Sequence, residues 1–525
     1  MKKYCFALFI FFVLIYVMPN LMIAISPNEA QEALEAYCIY KYEPFSLANF
    51  DSIISGFFIS LFGFTKWGIA SNSIIALAVL SISTIYAIKK CTNDKTLAIC
   101  TSLLFFATFW IFLLIPNPSV VGNSGIWGAL INFVALGAYF MASREERFSV
   151  QRIGMLFLCG VLTFASLIIS GLNPFFFSII VVTIYMLSQK RYVDMLLMPL
   201  EIIFIVGALL CLISLSKGES YYAWIISGKS SIISYWAGFF NNITLVKETI
   251  LHNIKLLCMG ILPIIPFVIC AIYNDKKNSS EFLKRPIYKF AMIFFITAIA
   301  FSVLNRGLIL ANLPITYLPL SFLIATSLVN YLRTNNRHKL LGSCFLLIGV
   351  AAVIGGVNLL LMYKHNLLNG ITIILIGLML VFTVRLSIDK RIATYFLGLA
   401  LIMLIFTLQI SAFATHMWPS ARQVKIRVES IIGKNYPANQ VEFFACDLKS
   451  YQLINFYFNN EIELISDSHA GKIIDHKKVL SLKEFCEIQN KSDKEIIVFA
   501  NAEFLPLQEQ AKTLKFDNLI IYYFK

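Results

Sequence analysis

The chain has 525 residues, 58% hydrophobic and only 14% charged, with a mean hydropathy of +0.76. Soluble domains are about 45–50% apolar and about 25% charged, so this composition excludes a chain whose bulk folds in water. The net charge of +14 lies wholly before residue 415, because the 14 basic and 14 acidic residues beyond it cancel; the basic residues sit in short loops between apolar runs, which excludes a nucleic-acid-binding patch.

Met1-Lys2-Lys3 and the apolar run to Ile25 resemble a signal peptide. The run is long enough to span a bilayer and no small-residue cleavage site follows, so it reads as a first, uncleaved helix. Runs of comparable length then predict thirteen transmembrane helices at about 5–25, 66–88, 96–115, 125–142, 153–171, 173–188, 195–215, 255–273, 287–304, 309–331, 340–362, 370–386 and 392–414. Alternate loops beginning with 1–4, 89–95 and 143–152 carry 21 basic residues, and the opposite, longer loops carry 8. The positive-inside rule therefore predicts a multi-pass protein of the inner (plasma) membrane, N-terminus in the cytoplasm. An odd number of spans puts the C-terminal domain outside it.

Two outer loops are long, 26–65 and 216–254. The first is acidic, with Glu29, Glu32, Glu35, Glu43 and Asp51, and the second is rich in Tyr, Trp and Phe. Both read as amphipathic segments at the membrane surface. From about Arg422 the pattern changes to short alternating elements: strands at 441–446, 461–465, 495–500 and 518–524, and helices at 448–458, 481–488 and about 506–512. The expected fold is an α-helical polytopic membrane domain, 1–414, with a small α/β domain of largely parallel sheet at 415–525. Eleven cysteines show no ligand-like spacing; Cys446 and Cys486 are either a tail disulfide or, the weightier reading, two thiols.

The first outer loop holds the most suggestive chemistry. A helix starting after Ser26-Pro27 sets Glu29 and Glu32 three residues apart on one face. Carboxylates clustered at a membrane interface suit general-base work or a divalent cation; a solvated amphipathic helix is the plain alternative. Elsewhere, Glu201 stands seven residues beyond Asp194, either within a span or at its edge.

The order of features resembles the polytopic glycosyltransferases that use polyprenyl-phosphate sugars, the GT-C-type family of protein O-mannosyltransferases and lipid A aminoarabinose transferases. Pro27-Asn28-Glu29-Ala30-Gln31-Glu32-Ala33 stands where that family opens its first outer loop with an Asp-Glu pair. Phe57-Phe58-Ile59-Ser60-Leu61-Phe62-Gly63 is similar to its Leu-Phe-Gly step, Gly260-Ile261-Leu262-Pro263 to its Gly-x-x-Pro step, and Asn305-Arg306 to Tyr317-Leu318-Pro319-Leu320 to its late segment. Thirteen spans with an outer α/β domain fit the aminoarabinose-transferase branch. The resemblance implies transfer of a sugar from a polyprenyl-phosphate donor to a lipid or protein acceptor, among membrane lipids, with Glu29, Glu32 and Asp51 as catalytic carboxylates. It further implies Asn28, Lys247, Arg306 and Tyr317 as substrate contacts, with a divalent metal ion for which His252 is the candidate ligand.

The sequence also departs from the family. Asn28 replaces the usual Asp, no Lys-Pro-Pro accompanies Ala48-Asn49-Phe50-Asp51, and Leu172-Asn173 stands for the later Lys-Gly. An amide accepts no proton, although it orients a partner. The alternatives are therefore a catalytically inactive lipid- or partner-binding relative and a transporter; paired half-chain symmetry, the mark of many transporters, is not seen. The topology is testable by fusion: alkaline phosphatase joined after Lys525 should be active and the same enzyme inserted at 143–152 inactive, with the reverse pattern inverting the assignment.

Overall fold

In lipid a backbone N–H or C=O finds no water, so each apolar run must satisfy its own backbone, and a helix does so. The computed structural model describes residues 13, 25, 27–43, 50–108, 118–146, 149–170, 172–217, 243–283, 285–304, 309–334, 339–362, 367–382, 387–417, 424, 428, 441–446, 451–458, 461–467, 469–474, 477–500, 511–516 and 519–524. Helices are α1 (Pro27–Tyr42), α2 (Phe50–Phe62), α3 (Lys66–Thr92), α4 (Lys95–Phe106), α5 (Pro118–Ala142), α6 (Val150–Ser170), α7 (Leu172–Ser188) and α8 (Tyr192–Lys217). They continue with α9 (Ile243–Ile261), α10 (Ile265–Leu283), α11 (Pro286–Leu304), α12 (Ile309–Thr334), α13 (Lys339–Met362), α14 (Leu367–Phe382) and α15 (Ile388–Met417). Helix thus occupies twelve of the thirteen expected stretches, and the first, 5–25, lies largely outside the described residues. By length and composition, seven described helices are able to cross a membrane, with shorter apolar helices beside them.

The chain divides into two compact units. One is the bundle, Ser73–Phe406 with Met1–Pro19; the other joins Asn20–Asn72 to Thr407–Lys525. The sequence boundary at 414 therefore divides the chain differently, since the first outer loop groups with the tail.

Within the bundle α12 is the hub, packing on α4, α5, α10 and α11. One core cluster holds Tyr139, Phe140, Phe177, Tyr185, Phe290 and Phe294. Pro263 and Pro266 break α9 from α10 through a 3-10 turn, Leu262–Ile264, and the Tyr395 hydroxyl donates to the Pro263 carbonyl. The expected Gly-x-x-Pro step is this break. Basic side chains at one end of the bundle tie helix ends together. Arg191 donates to the Ser143 carbonyl just past α5, Lys289 Nζ to the Ser188 carbonyl closing α7 at 2.6 Å, and Arg333 pairs at 2.9 Å with Asp94, the N-cap of α4. Cations at helix C-termini satisfy orphan carbonyls and oppose the helix dipole. Asp194, fully buried, meets Arg152 Nη2 at 2.9 Å and Arg191 Nε at 2.7 Å. Of the two intramembrane acids, Asp194 is thus internal and ion-paired, whereas Glu201 is exposed on its helix.

The tail is built on β1 (Val441–Cys446), α16 (Tyr451–Tyr457), β2 (Glu463–Ile465), a small hairpin of β3 (Ile473–Ile474) and β4 (Lys477–Lys478), and α17 (Leu482–Lys491). It finishes with β5 (Glu495–Ala500), β6 (Lys512–Phe516) and β7 (Leu519–Phe524), in the sheet order β2-β1-β5-β7-β6. β2, β1 and β5 run parallel, as expected from their helical crossovers, but β7 and β6 are antiparallel, so the sheet is mixed. Phe516 pairs with Leu519 across Asp517-Asn518, and a two-residue link joins only antiparallel strands. The helix expected at 506–512 falls on residues outside those described, except that Lys512 opens β6. Cys446 and Cys486 are free thiols.

Each sheet face has its own cover. Phe485 of α17 packs on Phe444 and Phe524, and a capping box of Ser481 with Glu484 starts that helix. Hydrogen bonds from Lys478 and Ser481 hold the Glu484 carboxyl down to about 2. On the other face Phe443, Ala445, Ile497, Phe499 and Ile521 meet α16 and, from the first outer loop, Ala30, Ala33 and Leu34 of α1.

Removing Asp194 leaves Arg152 buried without its ion partner, so Asp194→Ala is expected to cost about 3–5 kcal/mol, whereas Arg152→Met with Asp194→Leu costs less. Thermal unfolding of the detergent-solubilised protein distinguishes the two; equal losses would mean that the pairing itself is not what matters.

Candidate functional site

The first outer loop folds as two helices packed side by side. An ideal Cβ on Gly56 of α2 would lie 2.4 Å from the Ala36 carbonyl oxygen and 2.4 Å from Tyr40 Cβ, so α1 and α2 approach this closely only because residue 56 has no side chain. Tyr40 and Phe57 add an edge-to-face contact at 6.2 Å. Asn72 Nδ2 donates to Ser55 Oγ at 3.1 Å and ties α2 to α3. The turn between them, Gly63-Phe64-Thr65, has Gly63 at a φ of 80°, and Phe64 sits between Tyr37 of α1 at 4.7 Å and Phe456 of α16 at 5.3 Å. Loop and tail are thereby one hydrophobic assembly.

That packing sorts the acids. Ala30, Ala33 and Leu34 face the sheet and are buried, while Glu32 and Glu35 are exposed on the opposite side of α1. By helical register Asn28 shares the face of Glu32, four residues on, whereas Glu29 shares the face of Ala36, seven residues on, which abuts α2. Asp51 stands one turn before Ser55 on α2, the residue bonded to α3. The structure thus brings the backbones of Asn28, Glu29, Glu32 and Asp51 into one unit; the side chains of Asn28, Glu29 and Asp51 lie outside the described residues.

Sequence reasoning missed Lys66. It opens α3 in the same unit and is 6% exposed, and it has polar or electrostatic partners there. Ammonium groups are rarely buried to this degree. Its position just after the Gly63 turn, at the start of an apolar run, was the available signal.

The remaining candidates belong to the bundle. Lys247 and His252 are both exposed on α9, while neighbouring Asn253 turns inward and donates to the Ser302 and Val303 carbonyls at 3.2 and 2.9 Å. Tyr317 is fully buried and its hydroxyl donates to the Leu257 carbonyl at 3.0 Å. With the Ser302–Thr316 hydroxyl pair at 2.8 Å, it fastens α9, α11 and α12 together rather than facing an open site. Arg306 lies outside the described residues. Among the described residues no group of three or more His, Cys, Asp or Glu is placed to hold a metal ion. His252 has no such set around it, and no chemical step is derived through a metal.

The sequence matches no protein-family model and no curated protein. Solved structures are more informative. The crystal structure of ArnT from Cupriavidus metallidurans bound to undecaprenyl phosphate superimposes with a TM-score of 0.63 at 12% identity, covering 99% of this chain and 97% of ArnT. Apo ArnT from the same organism gives 0.62 at 13% identity over the same shares. The archaeal oligosaccharyltransferase AglB from Archaeoglobus fulgidus gives only 0.38 at 11% identity, over 95% of this chain and 69% of AglB. The chain therefore has the ArnT-like, GT-C-type fold along its whole length.

Gly56→Ala is expected to force α1 and α2 apart, at about 1–3 kcal/mol, and to raise hydrogen exchange across 27–62. Gly207→Ala, where an added Cβ meets nothing within 4 Å, is the control. Equal behaviour of the two variants would remove the close helix contact from the account.

Proposed function

We propose that this chain is a membrane glycosyltransferase that moves a sugar from a polyprenyl phosphate to an acceptor on the extracytoplasmic face. The observation carrying this reading is the whole-length likeness to ArnT, whose solved complex contains undecaprenyl phosphate. The acceptor is of one of two classes, a lipid or a protein.

The chemistry asks two things of the site. A base must take the acceptor proton as the acceptor attacks the anomeric carbon, and a cationic group must stabilise the phosphate that leaves. In an inverting transfer a single carboxylate serves as that base. Glu29 takes this role, being next to the substituted Asn28 and in register with the face of α1 that meets α2. Asp51, five residues before Gly56, stands toward the Tyr40 end of the α1–α2 pair and away from Glu29, so Glu29 is assigned the role without it. Lys66, buried in the same unit as Glu29, is the cation we assign to that phosphate. Asn28 keeps the capacity to orient a hydroxyl by hydrogen bonding but not to deprotonate it.

The substituted positions favour one other reading, a relative that binds the lipid without turnover. Purified protein in lipid, supplied with polyprenyl-phosphate-linked sugars and lipid acceptors, separates the two. The transferase reading expects turnover that falls about 10²–10⁴-fold in Glu29→Gln, with a much smaller loss in Glu32→Gln. Polyprenyl phosphate bound without transfer of any sugar would establish the inactive relative, and substrate flux into proteoliposomes without covalent transfer would establish a transporter.

A further inference from the structure

A cavity of about 320 Å³ opens within the bundle, walled by α3, α4, α5, α6, α11 and α12. Its wall is almost entirely apolar, with Ile88, Gly137, Leu158, Phe290 and Phe322 among the lining residues. Two hydroxyls on it are already spent on their own helices: Thr84 donates to the Leu80 carbonyl at 2.7 Å and Thr101 to the Leu97 carbonyl at 2.8 Å. The one charged lining residue is Lys90, whose ammonium stands 6.0 Å from the Tyr86 ring centroid. Tyr86 and Leu158, both lining residues, are 65% and 43% exposed, so the cavity opens sideways from the bundle beside Lys90. The mouth therefore carries one exposed cation, Lys90.

We infer that this cavity is a binding site for one anionic phospholipid of the leaflet that the basic loops face. One acyl chain fills the apolar chamber and the phosphate rests against Lys90. Basic groups at a membrane surface attract anionic headgroups, and a wall of hydrocarbon and aromatic rings admits a chain but no headgroup. The chamber lies at the small end of the roughly 300–1,000 Å³ range of small-molecule pockets, which suits a single acyl chain and not a long isoprenoid tail. The site is separate from the proposed transfer chemistry and does not depend on it.

Gly137 makes the inference testable, because a Cβ built there meets nothing within 4 Å although the residue lines the cavity. Gly137→Leu should fill the chamber without a backbone clash, and Gly137→Ala should leave it open. Native mass spectrometry of the full-length protein, titrated with phosphatidylglycerol, phosphatidylcholine or undecaprenyl phosphate, reads the occupancy. Expected are one tightly retained phosphatidylglycerol in the parent and in Gly137→Ala, and none in Gly137→Leu. In Lys90→Gln its affinity should fall about fivefold, with phosphatidylcholine weak throughout. Phosphatidylglycerol retained equally by the parent, Gly137→Leu and Lys90→Gln would overturn the inference, as would phosphatidylcholine binding as tightly. Loss of undecaprenyl phosphate instead in Gly137→Leu would give the chamber to that lipid. Lys90 is exposed, so its variant tests the headgroup even if Gly137→Leu fails to fold.

Discussion

The tail's sheet has two apolar faces to cover. α17 takes one face, and on the other, among the described residues, the seven-residue α16 is joined by the buried helical residues Val424 and Val428. Ala30, Ala33 and Leu34 of α1 complete that cover, and the rest of the outer architecture follows from it. Two alanines let α1 lie close, and the leucine adds about 1.5–3 kcal/mol by its burial. A loop that would otherwise be a mobile link between two spans becomes part of a hydrophobic core. The acids on its remaining faces inherit the rigidity of that core, which is what a base must have to sit within hydrogen-bond reach of an acceptor.

The bundle is held by different means. Inside lipid there is little hydrophobic reward for joining one apolar helix to another, so association rests on close packing and on polar ties. α13 and α14 show the first: a Cβ on Gly356 would come within 2.8 Å of the Gly370 carbonyl oxygen, and one on Gly377 within 2.6 Å of that of Gly349. The basic end shows the second, where Arg191, Lys289 and Arg333 each bridge one helix end to another. The charges that read as topology signals are therefore also structural. They sit where helix C-termini expose carbonyls, and the same side chains that disfavour translocation complete those ends.

The sequence exposes what the solvent enforces. Helix falls on twelve of the expected stretches because twenty apolar residues in lipid have no other way to satisfy their backbones. The strands at 441–446 and 495–500 were legible from unbroken runs of Phe, Ile and Val bounded by polar residues. What escaped were matters of partnership. The stripe Ala30, Ala33, Leu34 among glutamates has the period of any interfacial helix, and no periodicity says that a sheet four hundred residues later is its partner. The Asp517-Asn518 pair did carry a hairpin signal, but a helical reading of the preceding segment hid it. Tyr317 and Arg152 illustrate the same gap: the sequence read one as a substrate contact and the other as a loop charge, whereas both are buried with polar atoms committed to Leu257 and Asp194.

Register on α1 sharpens the chemical question that composition left open. Asn28, Glu32 and Glu35 share the face turned away from the sheet, and there Glu32 and Glu35 are exposed. A carboxylate exposed in that position stays in contact with water, which suits solubility better than catalysis. Glu29 belongs to another face, the one it shares with Ala36 where Gly56 lets α2 close in. An Asn at 28 thus leaves the outward face without a carboxylate at that position and does not touch the one in register with the face that meets α2. A site organised around the helix–helix face tolerates that loss, whereas a site organised around the outward face does not. The fold keeps the helix–helix face tightly built through the contact of Gly56 with the Ala36 carbonyl, and Glu29 is the acid of α1 in register with that face.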